Sequence, residues 1–217
     1  MKYLNKIFTI MAVLVILIPG CRKVYTPSDL ELTEYAWELY EAGNYIDSYT
    51  WFREAMVVDS VYQDARNGLG WSFGKLNQID SSRFYFIGAL QMSQPRDITA
   101  NVRHEIWAGL TFANQAAGQD SLAIIFGDSL ISDITDVIVS STAVWNFSHD
   151  ADLNHLDLKL SLATANYNLG QFGLAKEHII SILAEADSTS TFNADTASVQ
   201  GQMAIAAELE ILRELLD

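Results

Sequence analysis

In the first half of the chain, the same kinds of residue return after thirty-four positions: Trp37 and Trp71, Ser48 and Ser82, Phe52 and Phe86, Ala55 and Ala89. Ala36 and Gly70, Leu39 and Phe73, Tyr45 and Ile79, and Met56 and Leu90 extend the echo. A period of this length holds a helix, a turn and a second helix, and a unit that small cannot bury its apolar face by itself. Stacked units bury it between neighbours and leave a curved surface for other molecules. The period therefore predicts a helical scaffold, and half of the residues being hydrophobic gives it material for a core.

The apolar spacing agrees. Leu32, Tyr35, Ala36 and Leu39 recur at three and four, the signature of one helix face, with Ser28 or Asp29 placed to cap the start. Gly43 and Asn44 break that helix, and Tyr45 to Val58 forms its partner with Ile46, Tyr49, Phe52, Ala55 and Met56 inward. Four helix pairs are expected, at about 29–60, 63–94, 98–131 and 152–186, with Asn77 and Gln78 turning the second pair and Pro95 following it. The third pair has two registers two residues apart, one anchored on Gly109 and one on the turn at Gly118. The fourth is clearer, since Ala163, Tyr167, Gly170, Phe172 and Ala175 repeat the spacing of Ala36, Tyr40, Gly43, Tyr45 and Ser48.

Two segments fall outside the period. Residues 132–149 form an insertion, extended or continuing a helix, in which 136–144 is rich in Val, Ile, Ser and Thr. Residues 187–195 read as a polar linker before a capping helix at 196–216 carrying Met203, Ile205, Ala206, Leu209, Leu212 and Leu216.

At these positions the chain resembles the tetratricopeptide repeat family: Ala36 or Gly70 where helices pack closely, Gly43 at the turn, Tyr45 and Phe52 as wedges, Ala55 at the crossing. It departs from the family pattern at Ser48 and Ser82, where alanine is usual, at Asn77 in place of the turn glycine, and at Pro95, one residue late. The resemblance implies an all-α, right-handed solenoid of about four pairs plus a capping helix. It also implies that the first helix of each pair lines the concave groove, with the residues one and four after the small packing residue facing it. Those are Trp37 and Tyr40, Trp71 and Gly74, Thr164 and Tyr167, and, on the turn-anchored register, Phe112. With Glu41 and Lys75 beside them, this aromatic stripe would suit a peptide or a partner helix, because Trp and Tyr give contact area at little entropic cost. The competing expectation is that Trp37 and Trp71 pack between helices, as aromatics at helical spacing commonly do.

Residues 1–20 are a separate object. Lys2 and Lys6 precede an apolar run from Ile7 to Ile18, too short to span a membrane comfortably and arranged as an export signal. Ile18-Pro19-Gly20-Cys21 resembles a bacterial lipobox, which implies cleavage before Cys21, lipidation of its sulfur, and a tether over 21–28. Cys21 is the sole cysteine and so has no disulfide partner within the chain. The alternatives are an ordinary signal peptide and an uncleaved anchor. Arg22 rather than aspartate after the cysteine points to the outer membrane, on its periplasmic face, with surface display as the other option. Removing residues 1–20 takes away two lysines and no acid, moving the formal charge from -14 to -16. Such a surface repels phosphate backbones, so nucleic acid is not an expected partner, and membrane attachment falls to the acyl chains.

Chemistry is sparse. The chain has no Gly-rich phosphate loop and no zinc-binding His-Glu-x-x-His helix, and no cofactor is expected. Of the four histidines only His149 and His155 lie close in sequence, with Asp150, Asp152 and Asp157 beside them. Asp150, Asp152 and Asn154 copy the first ligand positions of a calcium loop, but His155 stands where the turn needs glycine and Ser161 where a bidentate glutamate belongs, so a capped helix start is the expectation. The expected function is a non-catalytic adaptor of the cell envelope that binds a protein on its concave face, with a glycan- or peptidoglycan-binding lipoprotein as the rival and a hydrolase third. If Cys21 carries the anchor, Cys21→Ala moves the protein from the membrane to the soluble fraction and abolishes incorporation of labelled fatty acid. Continued membrane association would refute the lipobox reading.

Overall fold

The computed structural model describes residues 25–91, 100–137, 144–186 and 191–216; the export signal at 1–20, Cys21 with the first half of the tether, and Pro95 lie outside them. Its helices are α1 (Asp29–Glu41), α2 (Tyr45–Val58), α3 (Gln63–Lys75), α4 (Ile79–Gln91), α5 (Ala100–Ala116), α6 (Asp120–Val137), α7 (His155–Asn168), α8 (Phe172–Ala186) and α9 (Val199–Leu216). Among the described residues there is no strand, only an isolated bridge between Asn146 and Asn154.

Local chemistry sets where helices begin. Ser28, not Asp29, caps α1, its hydroxyl accepting from the Glu31 amide at 3.2 Å while the Glu31 carboxylate accepts from the Ser28 amide at 2.9 Å. Asn154 and Asp157 make the same reciprocal arrangement at α7. Each arrangement satisfies donors that a helix start otherwise leaves unpaired. The turns inside the four pairs share one device: Gly43, Asn77, Gly118 and Gly170 all have positive φ, from 56° to 77°. Glycine, and less readily asparagine, tolerates that conformation, which explains Asn77 in the glycine position.

The pairs stack into a helical repeat solenoid. α1 packs on α2, α3 on α4, α5 on α6 and α7 on α8, and each pair packs on the next. First helices also touch one another, α1 to α3, α3 to α5 and α5 to α7, whereas among the described residues no second helix touches another second helix. The stack therefore curves with α1, α3, α5 and α7 on its inner side. α9 covers α7 and α8, burying Ile205, Leu209 and Leu212.

Two phenylalanines hold the pairs together. A Cβ added at Gly68 would lie 2.1 Å from the Phe52 ring, and one added at Gly70 or Gly109 would lie 2.5 or 2.2 Å from the Phe86 ring. Phe52 and Phe86 are buried because α3 and α5 present bare backbone to them. This resolves the third pair: Gly109 stands nine residues before Gly118 as Gly68 stands nine before Asn77, so the turn-anchored register holds and Gly109 answers to Gly68, not to Gly70. Ser48 and Ser82 are buried between helices, where Ser48 pairs with Ser72 at 3.1 Å and Ser82 donates to the Gly70 carbonyl at 2.7 Å.

Some expectations need correcting. Tyr35, Ile46 and Met203 are exposed, not inward. Tyr35 rests edge-on against Trp51 on the outer side, Ile46 sits in the first turn of α2, and Met203 lies on the face of α9 that no further pair covers. The start of the insertion is helical, since α6 runs on to Val137. The end of the linker folds back on α9, whose Gly201 leaves no room for a side chain beside the Asp195 carbonyl.

Glycine inside a helix normally costs about 0.5–1 kcal/mol relative to alanine, yet here the sign should invert. Gly70→Ala and Gly109→Ala are expected to lower stability by about 1–3 kcal/mol in urea melts. Gly74→Ala, whose new carbon would meet Ser82 Oγ at an ordinary 3.5 Å, should leave stability equal or higher.

Candidate functional site

The inner wall is covered by the chain itself. After the insertion, residues 144–150 run along the wall with alternate side chains turned inward: Trp145 and Phe147 are buried, His149 is half-buried, and Val144, Asn146 and Ser148 are exposed. Period-two alternation is what an extended segment imposes, and the chain enters a turn at Ser148 and His149. The strap closes on itself through a hydrogen bond from the Phe147 amide to the Leu153 carbonyl at 3.0 Å, beside the Asn146–Asn154 bridge.

Each inward ring meets an aromatic residue of a first helix. His149 lies flat on Trp37, centroids 3.6 Å apart and planes 1° from parallel. Phe147 stacks on Trp71 at 4.1 Å and meets Trp37 and Tyr40 edge-on at about 6 Å. Trp145 contacts Phe112 at 6.4 Å. Polar bonds pin the same segment: His149 Nδ1 to Glu41 at 2.8 Å, Asp150 to Lys75 at 2.8 Å, and Ser148 Oγ donating to Glu105.

Trp37, Tyr40, Glu41, Trp71, Lys75 and Phe112 thus belong to one surface, but Trp37, Tyr40 and Trp71 are buried under the strap rather than open to a partner. The stripe expected to receive a foreign chain receives residues 144–150, because rings of that size on an open wall would leave apolar area in water. Thr164 and Tyr167 stand apart on the fourth pair. Tyr167 meets Phe172 edge-on at 5.3 Å within the second core cluster, and the Thr164 hydroxyl donates to the Leu160 carbonyl at 2.9 Å.

Beneath the strap lies a buried polar network that the sequence reading missed. Trp37 Nε1 donates to Asp64 at 3.1 Å, and Asn67 Nδ2 donates to Glu105 at 2.8 Å and reaches Asp64 at 3.5 Å. Burial pushes both the Asp64 and the Glu105 carboxyls above the ordinary range, against the pull of their hydrogen bonds and of His149. A signal for them exists: Asp64, Glu105 and Asp157 each stand thirteen residues before a turn residue, Asn77, Gly118 and Gly170.

The histidines do not converge. His149 joins Glu41, His155 joins Glu185 at 2.6 Å, and His104 joins Asp133 at 2.7 Å, where with Arg103 it holds that carboxyl below its usual range. The atoms resembling a calcium loop have other tasks: Asp150 accepts from Lys75 and from the Asp152 amide, and Asn154 caps α7.

Beside the strap, two of the cavities that remain open border Lys75. One, of about 280 Å³, is apolar and lies between α3, α4 and α5 with Trp71, Gly74, Phe112 and Leu153 in its wall. The other, of about 580 Å³, is polar and lined by Tyr40, Glu41, Tyr45, Lys75 and residues 148–152. Lys75 borders both. In comparisons with known proteins, no family model matches the chain. No curated protein matches it either.

The raised carboxyls give a pH dependence whose sign is fixed. A folded pKa above the unfolded one contributes stability in full below the unfolded value, and that contribution is lost as pH rises through the folded value. Glu105→Gln, which keeps an acceptor for Asn67, should therefore gain stability relative to the parent as pH rises above about 4.3. Urea melts at pH 5 to 8 check this; a gap that does not widen would contradict it.

Proposed function

We propose that the chain is a lipid-anchored, non-catalytic adaptor of the bacterial envelope, a divergent member of the tetratricopeptide repeat family that binds a protein partner on its concave side. The observation that carries this reading is the strap. A wall that holds residues 144–150, each inward ring on an aromatic of a first helix, has the spacing and chemistry for peptide recognition. The placement of Asp64 and Glu105 supports the non-catalytic part, since they are paired with Trp37, Asn67 and Ser148 beneath the strap. The N-terminal pattern at Cys21 supports a lipid anchor and the outer membrane. No described helix is long and apolar enough to cross a membrane.

Glycan or peptidoglycan binding is the second reading. The polar cavity with Tyr40 and Tyr45 among carboxylates favours it, although the stacking platform it would use, Trp37 and Trp71, is covered.

Alanine at Trp37 or Trp71 tests folding more than binding, because truncating a buried aromatic costs about 3–5 kcal/mol. A photo-crosslinking residue in place of Lys75 or Asp152, compared with one at exposed Ile125 on α6, addresses binding directly. Crosslinking in cells to a defined envelope protein from the first two positions and not from the third is expected. Crosslinks from Ile125 alone, or none, would overturn the concave-side reading.

A further inference from the structure

We propose that the two cavities flanking Lys75 form one bipartite site for a protein segment carrying a basic side chain within two residues of an apolar one. This deepens the adaptor reading and rests on it. The polar cavity presents three carboxylates, Glu41, Asp150 and Asp152, against the single ammonium of Lys75, so its wall is two charges negative when His149 is neutral. Lys75 is already committed to Asp150 at 2.8 Å, its nitrogen 6.0 Å over the Tyr45 ring. Glu41 uses one oxygen on His149 and stays half exposed, and the Asp152 carboxylate has no partner among the described residues. A guanidinium or ammonium suits this wall, for two carboxylates can take its donors and a tyrosine face attracts a cation. The charge of -14 on the whole chain draws such a group from a distance.

Residues with an unpaired buried polar group lie in the walls of both cavities. The Tyr40 hydroxyl, on a residue 2% exposed, has no hydrogen-bond partner, and neither has the Trp71 indole N–H, on a residue 6% exposed. Both residues line the cavities, Tyr40 the polar one and Trp71 the apolar one. The apolar cavity also owes its space to Gly74, whose missing side chain leaves nothing nearer than Ser82 Oγ at 3.5 Å. An apolar hollow adjoining an acidic one fits a peptide with both kinds of side chain better than a uniformly polar saccharide.

The test uses the full chain in detergent micelles and rhodamine-labelled peptides Gly-Leu-Gly-Arg-Gly, Gly-Gly-Gly-Arg-Gly and Gly-Leu-Gly-Glu-Gly, with a muropeptide as competitor. The first peptide should bind roughly tenfold more tightly than either other, the difference that one charge-assisted contact or one buried leucine side chain gives. Glu41→Gln with Asp152→Asn, both at exposed positions, should erase the preference for Arg over Glu and keep that for Leu over Gly. Gly74→Leu should do the reverse, with circular dichroism showing that both variants fold. Equal binding of the three peptides, no binding of any, unchanged preferences in the variants, or binding of the muropeptide alone would overturn the site. Concave-side crosslinks to an envelope protein would survive such a failure, so the adaptor reading is lost only if they are absent.

Discussion

Phe147 lies against Trp37, Tyr40, Trp71, Trp145 and His149, every centroid within 6.3 Å. It ties a segment that departs from the repeat to the first helices of the first two pairs. Fixing one residue of an irregular segment costs about 1–2 kcal/mol, so residues 144–150 stay on the wall only because buried rings and pinned ends offset that cost. The covering of the concave side, the burial of Asp64 and Glu105, and the shapes of both cavities follow from that attachment. Without it, the wall would be the open aromatic stripe that the repeat by itself predicts.

The repeat was legible because its causes are local. A bare backbone at Gly68, Gly70 and Gly109, a wedge at Phe52 and Phe86, and a left-handed turn residue at Gly43, Gly118 and Gly170 each leave a mark at fixed spacing. The fold class and the consecutive packing of helix pairs could be read from such marks. Tyr35, Ile46 and Met203 were misplaced because helical spacing names a face without saying whether another element covers it.

The strap was not legible, for a physical reason. Alternation over Trp145, Phe147 and His149 is three residues long, and its partners lie from about thirty to over a hundred positions earlier, so nothing local marks which surface it will meet. The same distance hid the acids beneath it. In the sequence Asp64 and Glu105 look like solvated helix residues, whereas in the fold burial pushes their carboxyls up. The candidate site inherits this history: sequence supplied Glu41, Lys75 and the aromatics, while Ser148, Asp150 and Asp152 joined them through a long-range contact.

Residues 144–150 lie on the aromatic wall in solution if the strap is what closes the concave side. Proton NMR of the full chain in detergent reads this directly through cross-relaxation between the Phe147 and Trp71 rings and through the His149 ring-proton shifts. Cross-peaks between Phe147 and Trp71, with His149 protons shifted upfield by the Trp37 face, are the predicted result. No cross-peaks, together with His149 shifts of a solvent-exposed imidazole, would contradict it.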